Sequence, residues 1–184
     1  DKTYGGPDIL VMTSGNIPGC PVLTENISAL EALADVADGF LLHDRRIANR
    51  CDDSLVSEWR GQPYFLRRSR GYAPSPLTFN ASDGIFALGA EQKASFALGR
   101  DSHVFLSPYI GDLKNAETFA HYTETLDTYE KLFKLKPSVY VCDLHPDYLS
   151  THEAKQRSGA DNVPLLQVQH HWAHLASCMA DNDL

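Results

Sequence analysis

Residues 138–174 read SVYVCDLHPDYLSTHEAKQRSGADNVPLLQVQHHWAH, and this stretch decides the fold class. Two apolar runs within it, residues 138–142 and 165–168, are typical of buried strands. Segments that favour helix follow each run, at residues 148–157 and 170–180. An alternation of strands and helices predicts an α/β fold with parallel neighbouring strands.

The residues before this stretch extend the same fold. Three strand-like runs, residues 85–90, 94–98 and 104–106, are separated by short polar or glycine-containing turns. A long helix is predicted from residue 115 to about residue 135, where Pro137 follows. The resulting order β-β-β-α-β-α-β-α predicts an α/β layer with an antiparallel edge hairpin and parallel inner strands.

A different pattern occupies the first part of the chain. Its predicted elements are a strand at residues 8–13, a helix at 27–36 and strands at 39–43, 54–59 and 63–66. The helix is marked by four apolar residues at helical spacing, and Thr24 or Asn26 can cap its N-terminus.

A segment rich in residues that favour turns separates the two parts. It reads Tyr72-Ala73-Pro74-Ser75-Pro76, and we place a boundary between about residues 73 and 83. The sequence therefore predicts one domain over residues 1–78 and a second over residues 79–184. Because the chain begins without Met and almost directly on a predicted strand, we expect it to be a piece of something longer.

Composition excludes several classes of protein. Sixteen Lys and Arg against 24 Asp and Glu leave a net charge of −8, which argues against a broad surface for nucleic acid. No apolar run approaches the ~18–20 residues that span a bilayer, so no membrane association is expected. Four scattered cysteines form no Cys-x-x-Cys pair. They indicate reduced thiols in a cytoplasmic protein.

Two histidines have the spacing of metal ligands. In Gln169-His170-His171-Trp172-Ala173-His174, residues 170 and 174 lie four apart and share one helix face. Imidazole suits iron, zinc, copper or nickel, so the spacing leaves the ion open. Two histidines supply fewer ligands than the ~3–4 a protein normally provides, and histidines at a helix start can also serve only as hydrogen-bond donors.

Polar and basic groups predict an anion site in the first part. Ser14 and Asn16 lie where a predicted strand ends, although Ser, Gly and Asn are also common in plain turns. Arg50 and Arg70 belong to two Arg-rich segments, and guanidinium groups bind phosphate or carboxylate in a bidentate manner. A solvated surface with salt bridges explains these arginines equally well. Lys93, at the end of a possible hairpin, could approach nucleotide phosphates or close an ordinary tight turn.

Eight motifs over nearly the whole chain resemble, in order, the HypF family of hydrogenase maturation carbamoyltransferases. They are Thr13 to Asn16, His43 to Arg45, Arg50 to Ser54, Arg67 to Tyr72, Gly89 to Lys93, Ser107 to Leu113, Cys142 to Tyr148 and Gln169 to His174. The resemblance implies the end of a YrdC-like α/β domain followed by the first part of a metal-binding α/β domain of the actin/Hsp70 type. The acylphosphatase-like and zinc-finger parts of the family have no counterpart in these residues.

The resemblance also implies a function. The YrdC-like domain would make carbamoyl adenylate from carbamoyl phosphate and ATP/Mg, and the second domain would transfer the carbamoyl group to the C-terminal cysteine of the partner HypE. Ser14 and Asn16 match the family's nucleotide-contacting element, and Arg50, Arg70 and Lys93 are further candidates for that role. His170 and His174 match its metal-binding pair, with iron or zinc as the expected ion and further carboxylate ligands beyond Leu184.

Two other interpretations stay open. The first is a threonylcarbamoyl-type tRNA-modification protein, although such proteins usually carry the two modules on separate chains. The second is a noncatalytic fragment that presents a docking surface to a partner protein.

Overall fold

The computed structural model describes residues 5, 7–80, 82–182 and 184. In chain order, these residues form α1 (Asn26–Ala32), β1 (Leu55–Trp59), β2 (Gln62–Arg67), β3 (Leu77–Thr78), β4 (Ile85–Ala87), β5 (Ala97–Arg100), β6 (His103–Leu106), α2 (Ala116–Phe133), β7 (Val139–Asp143), α3 (Leu149–Asp161), β8 (Leu165–Val168) and α4 (His170–Asp181).

A six-stranded sheet organises the second part of the chain. Its strand order is β3-β6-β5-β4-β7-β8. Strand β7 runs parallel to both β4 and β8, and the other neighbours are antiparallel. The predicted α/β class and the order β-β-β-α-β-α-β-α are confirmed from β4 onward. Parallel inner strands were predicted. Among the described residues β8 lies at a sheet edge, so one of the three parallel strands is an edge strand.

The core forms where α2 packs against this sheet. Phe86, Leu98, Tyr122 and Leu126 are completely buried. Removing such side chains from water contributes about 1.5–3 kcal/mol each to folding. The Tyr122 hydroxyl donates a hydrogen bond of 2.7 Å to the carbonyl oxygen of Leu88, so the phenol is buried with its polar atom satisfied. Burial raises the pKa of Tyr122 strongly, and the group stays neutral.

Two strands predicted in the first part do not form. Residues 8–13 and 39–43 have no strand assignment, and Val11 and Leu41 are fully exposed at 96% and 101%. A strand needs a neighbour for its backbone hydrogen bonds and a surface that covers its apolar side chains. Within the described residues neither segment has such a neighbour, so apolar composition alone does not produce a strand.

The remaining elements of the first part are short. Helix α1 ends at Ala32, four residues before its predicted end, and buries none of its residues. Strands β1 and β2 pair as an antiparallel hairpin, close to their predicted ranges. Strand β3 lies beside the predicted domain boundary and pairs with β6 of the six-stranded sheet.

Two predictions from composition can be compared with the structure. The four cysteines are free thiols, as expected. None of the described helices combines the length and the apolarity needed to cross a bilayer.

An ion-pair cluster joins α2 to α3. The Arg157 guanidinium contacts Asp127, Glu130 and Glu153 at 2.6, 3.0 and 2.6 Å, and its side chain is only 16% exposed. Burial alone would lower the pKa of Arg157, but its hydrogen bonds to Asp127 and Glu153 outweigh that effect and raise the pKa. Burial raises the pKa of Glu130, and the charge of Arg157 opposes that shift.

Replacing Arg157 is expected to destabilise the chain. Arg157→Ala leaves Glu130 and Glu153 half-buried without a cation, and we expect a loss of about 2 kcal/mol in the free energy of unfolding, measured by urea denaturation. Lys155→Ala, an exposed change on the same helix, is the matched control and should cost under about 0.5 kcal/mol. Equal stability of the two variants would show that the cluster is not a structural link.

Candidate functional site

A cavity of about 520 Å³ lies where the two parts of the chain meet. We call it the junction cavity. From the first part it is lined by Met12, Thr13, Ser14, Asn16, Gly19, Cys20, Pro21, Val22, Arg50, Cys51, Asp52, Asp53 and Arg67, and from the second by Tyr109, Ile110, Gly111, Asp112, Thr118 and His121. The structure therefore brings together three residues predicted from the sequence, Ser14, Asn16 and Arg50.

Asn16 organises one wall of the junction cavity. Its amide nitrogen donates to the carbonyl oxygens of Ile17 and Cys20 at 3.2 and 3.0 Å, and its amide oxygen accepts from the Ser14 hydroxyl at 2.6 Å. Because the hydroxyl proton of Ser14 is used in this way, its oxygen can take part in a further hydrogen bond only as an acceptor. Asn16 thus holds the loop that carries Ser14, which explains why an amide is suited to this position.

The basic residues of the first part are distributed unequally. Arg50 lines the junction cavity, whereas Arg70 is not among its lining residues. The Arg70 guanidinium instead donates to the carbonyl oxygen of Cys51 at 2.9 Å and lies 3.4 Å from the Asp53 carboxylate. Arg67, which was not selected from the sequence, lines the cavity and stacks its guanidinium over the Tyr109 ring at 4.6 Å.

Tyr109 reaches the junction cavity because its loop is fixed to the rest of the second part. The backbone N–H of Ile110 donates to the carbonyl oxygen of Ala94, and the N–H of Ala94 donates to that of Gly111. The N–H of Leu113 donates to the carbonyl oxygen of Glu91. These bonds set the position of the ring that Arg67 covers, so a cation–π contact joins the two parts.

His121 contributes a buried imidazole from α2 to the junction cavity. The residue is 8% exposed, and its Nδ1 lies 3.3 Å from the Thr125 hydroxyl. Burial, together with the positive charge of Arg50, lowers the pKa of His121 from 6.5 to about 4. The ring is therefore neutral at neutral pH.

A second cavity, of about 410 Å³, contains the predicted metal-binding pair and Lys93. We call it the histidine cavity. Lys93 is thus separated from the other predicted nucleotide-binding residues and lies with Asp143, His170 and His174. The five nucleotide-binding candidates therefore divide between the two cavities, apart from Arg70, which lines neither.

Asp143 orients His170 in the histidine cavity. The Asp143 side chain is 6% exposed, and its Oδ2 lies 2.6 Å from Nδ1 of His170. Because a carboxylate only accepts, Nδ1 carries the proton, and Nε2 of a neutral ring is left for another partner. The second Asp143 oxygen accepts the backbone N–H of His145 at 2.9 Å, which fixes the carboxylate itself.

The two predicted ligands fit a common ion. Nε2 of His170 and Nε2 of His174 lie 3.0 Å apart, so both can face one metal at bond lengths of about 2.0–2.1 Å. A carboxylate behind Nδ1 is the usual outer partner of a metal-binding imidazole. No group of three His, Cys, Asp or Glu side chains that could hold an ion occurs among the described residues, so the pair is a partial ligand set.

The turn at residues 89–93 is held against α3. The buried carboxylate of Glu91 accepts the backbone N–H of Leu149 at 2.7 Å, and the Ser150 hydroxyl donates to the carbonyl oxygen of Gly89 at 3.2 Å. Gly89 has φ +72°, and a Cβ there would collide with the carbonyl oxygen of Ser95. The turn therefore requires glycine, and its fixed backbone presents Lys93 at the rim of the histidine cavity.

Comparisons with known proteins match both parts of the chain. A family model described as "Telomere recombination", for the Sua5, YciO and YrdC proteins, matches residues 2–69. A second model, described as the HypF Kae1-like domain, matches residues 80–181, which is more than half of the chain. The chain thus belongs to the class of proteins that join a YrdC-like part to a Kae1-like part.

Individual relatives agree with this class. The carbamoyltransferase HypF of Synechocystis is 39% identical over 175 residues, which cover 94% of this chain and 22% of that protein. The probable carbamoyltransferase HypF of Methanocaldococcus jannaschii is 40% identical over 176 residues, 94% of this chain and 23% of that protein.

Solved structures give the same result. The crystal structure of HypF from T. kodakarensis superposes with a TM-score of 0.87 at 40% identity, over 94% of this chain and 23% of that one. A full-length HypF in its phosphate- and nucleotide-bound form gives 0.85 at 43% identity, over 94% and 27%. The chain belongs to the HypF family, which confirms the resemblance of its motifs, and it spans about a quarter of the length of these relatives.

The lowered pKa of His121 predicts a pH dependence of stability. Between pH 6.5 and about 4 the unfolded chain binds a proton on this residue and the folded chain does not. The contribution of His121 to the free energy of unfolding is therefore at its most favourable above pH 6.5, and it declines as the pH falls towards 4. Urea denaturation at about pH 7, 5.5 and 4.5 should show a steeper loss for the wild type than for His121→Gln, which cannot titrate. Parallel pH profiles would contradict the assignment.

Proposed function

We propose that this chain carries two sites of a cytoplasmic carbamoyltransferase that matures hydrogenase. The junction cavity binds ATP/Mg and forms carbamoyl adenylate with carbamate derived from carbamoyl phosphate. The histidine cavity holds a divalent metal, iron or zinc, where the carbamoyl group is transferred to the C-terminal cysteine of HypE. The observation that carries the proposal is the convergence of Ser14, Asn16 and Arg50 in one cavity of a HypF family member.

The junction cavity offers both signs of charge to an adenylation reaction, since Arg50 and Arg67 line it together with the carboxylates of Asp52, Asp53 and Asp112. A carbamate oxygen attacks the α-phosphorus of ATP, the bond to the β-phosphate oxygen breaks, and pyrophosphate leaves with its electron pair. Arg50 and Arg67 supply positive charge against phosphate oxygens, and such fixed donors stabilise the charge that develops in the transition state. A relative with 43% identity has been crystallised in a phosphate- and nucleotide-bound form, which supports a nucleotide as the ligand.

Transfer then consumes the mixed anhydride. The thiolate of HypE attacks the carbamoyl carbon, the bond between that carbon and the phosphate oxygen breaks, and AMP leaves. A divalent cation held in the histidine cavity would polarise the carbamoyl oxygen. In this chain His170 and His174 would hold the cation, Asp143 fixes the His170 ring, and Lys93 faces the same cavity with a positive charge for the AMP phosphate.

The comparisons favour this function over the tRNA-modification alternative. Relatives named HypF match 94% of the chain, across both parts, and the net charge of −8 disfavours a broad RNA surface. The noncatalytic docking fragment predicts that neither cavity binds its ligand. Measurements of nucleotide chemistry at one cavity and of metal binding at the other therefore test that alternative as well.

We expect a full-length HypF protein carrying this segment to catalyse exchange of pyrophosphate into ATP that depends on carbamoyl phosphate. Asn16→Ala should reduce that exchange at least about tenfold, because three hydrogen bonds that shape the Ser14 loop are lost. Radiolabelled pyrophosphate measures the exchange.

A matched control separates the loop from the fold. Asn26→Ala removes an exposed hydrogen bond from the side-chain amide to the carbonyl oxygen of His43. This bond lies outside the junction cavity, so the exchange should be unchanged. Unaltered exchange in Asn16→Ala would show that the nucleotide site is assigned wrongly, and absence of exchange in the wild type would refute the adenylation function.

We also expect one divalent metal per molecule of the same full-length protein. His170→Ala/His174→Ala should abolish metal binding, and Asp143→Ala should weaken the affinity about 10–100-fold through loss of the outer carboxylate. Elemental analysis and competition with a chelator measure both effects. His171→Ala, on a different face of α4, is the control, and equal metal content in the wild type and the double variant would overturn the assignment.

A further inference from the structure

His121 is a polar residue of the junction cavity that no sequence motif selected. It lies on α2, in the second part of the chain, while Ser14, Asn16 and Arg50 come from the first. Its ring is almost completely buried, and a buried ring nitrogen normally has a hydrogen-bond partner. The partners of its two nitrogens therefore decide what the residue can do.

Thr125 determines the tautomer of His121. The Thr125 hydroxyl donates its proton to the carbonyl oxygen of His121 at 2.7 Å, so its oxygen can only accept from the ring nitrogen 3.3 Å away. Nδ1 must then carry the proton. In the neutral ring, Nε2 is left with a lone pair and is an acceptor.

Nε2 has no hydrogen-bond partner among the described residues. Nε2 is not shut off from solvent either. Among the described residues, the one fully buried side-chain N or O atom without a hydrogen-bond partner belongs to Arg68. The residue lines the junction cavity, which gives Nε2 access to a ligand. Burial and the charge of Arg50 lower the pKa of His121, so the neutral ring stays an acceptor across the neutral pH range.

His121 also borders a smaller cavity of about 220 Å³, together with Arg50. Its lining holds two carboxylates, Glu25 and Glu124, and two guanidinium groups, Arg46 and Arg50, and its volume is below the roughly 300–1,000 Å³ of ordinary small-molecule sites. The junction cavity combines Arg50 and Arg67 with the carboxylates of Asp52, Asp53 and Asp112, and at about 520 Å³ it is large enough for a small-molecule ligand. The occupant that Nε2 meets is therefore the ligand of the junction cavity.

We propose that Nε2 of His121 accepts a hydrogen bond from an N–H or O–H donor of the nucleotide or carbamoyl ligand in the junction cavity. The inference rests on the proposed adenylation function. It assigns α2 a direct role in binding, so the nucleotide site is completed by the second part of the chain. The donors available are the ribose hydroxyls, the adenine amino group and the carbamoyl NH₂ group.

Two substitutions separate binding from packing. His121→Asn keeps a polar atom near the Nδ1 position that can donate to Thr125 but removes the distal acceptor. His121→Gln places an amide oxygen near the Nε2 position. In a full-length HypF protein carrying this segment, we expect His121→Asn to weaken the affinity for MgATP, or to raise KM for carbamoyl phosphate, about tenfold. His121→Gln should retain most of the wild-type value.

Ligand analogues identify the donor. Titration calorimetry would compare MgATP with 2′-deoxyATP, 3′-deoxyATP and purine riboside triphosphate, which lacks the amino group. The analogue that lacks the true donor should bind the wild type and His121→Asn equally. If MgATP binds the wild type and His121→Asn equally and only KM for carbamoyl phosphate changes, the donor is the carbamoyl NH₂ group. If MgATP binding differs and all three analogues keep that difference, the hydrogen bond to the ligand is refuted.

The outcomes also separate this inference from the proposed function. If the wild type neither binds ATP nor exchanges pyrophosphate, the adenylation function fails. If the wild type is active and His121→Asn matches it, or His121→Gln loses as much as His121→Asn, the hydrogen bond to the ligand is refuted. Urea denaturation of both variants checks that the comparison is made between folded proteins.

Discussion

The parallel pairing of β7 with β8 is the constraint on which the histidine cavity depends. Asp143 is the last residue of β7 and pairs with Val168, the last residue of β8, so the two strands end at the same level. His170 follows two residues later and meets the Asp143 carboxylate. A slip of one residue would turn Asp143 to the opposite face of the sheet. The orientation of the His170 ring is thus a property of the sheet register as much as of the helix.

Sequence periodicity predicted the second part of the chain well because each element there packs against another. The face of α2 that carries Tyr122 and Leu126 covers the sheet, so its pattern and its burial agree. Residues 8–13 and 39–43 have equally apolar composition but no covering surface among the described residues. Periodicity reports what a segment can bury, and whether it forms a strand depends on the neighbours it meets.

The site was predictable to the extent that its residues lie in local motifs. Ser14, Asn16 and the His170/His174 pair were found because turn chemistry and helical spacing act over a few residues. Arg67 was missed, although it alternates with Arg68 along the same segment, because sequence does not show which face of a strand meets a cavity. His121 gave no signal, since a single histidine within an amphipathic helix is identified only by the tertiary contacts around it.

The loop that Asn16 holds has a thermodynamic consequence for the ligand. The Asn16 side chain already forms hydrogen bonds with two backbone carbonyl oxygens and with the Ser14 hydroxyl before any ligand binds. A ligand that meets an ordered loop does not have to immobilise that loop, and each rotamer-rich side chain fixed on binding costs about 0.5–1.5 kcal/mol. This wall of the junction cavity is therefore ordered before the ligand arrives. The entropic cost of ordering it is incurred when the chain folds and not when the ligand binds.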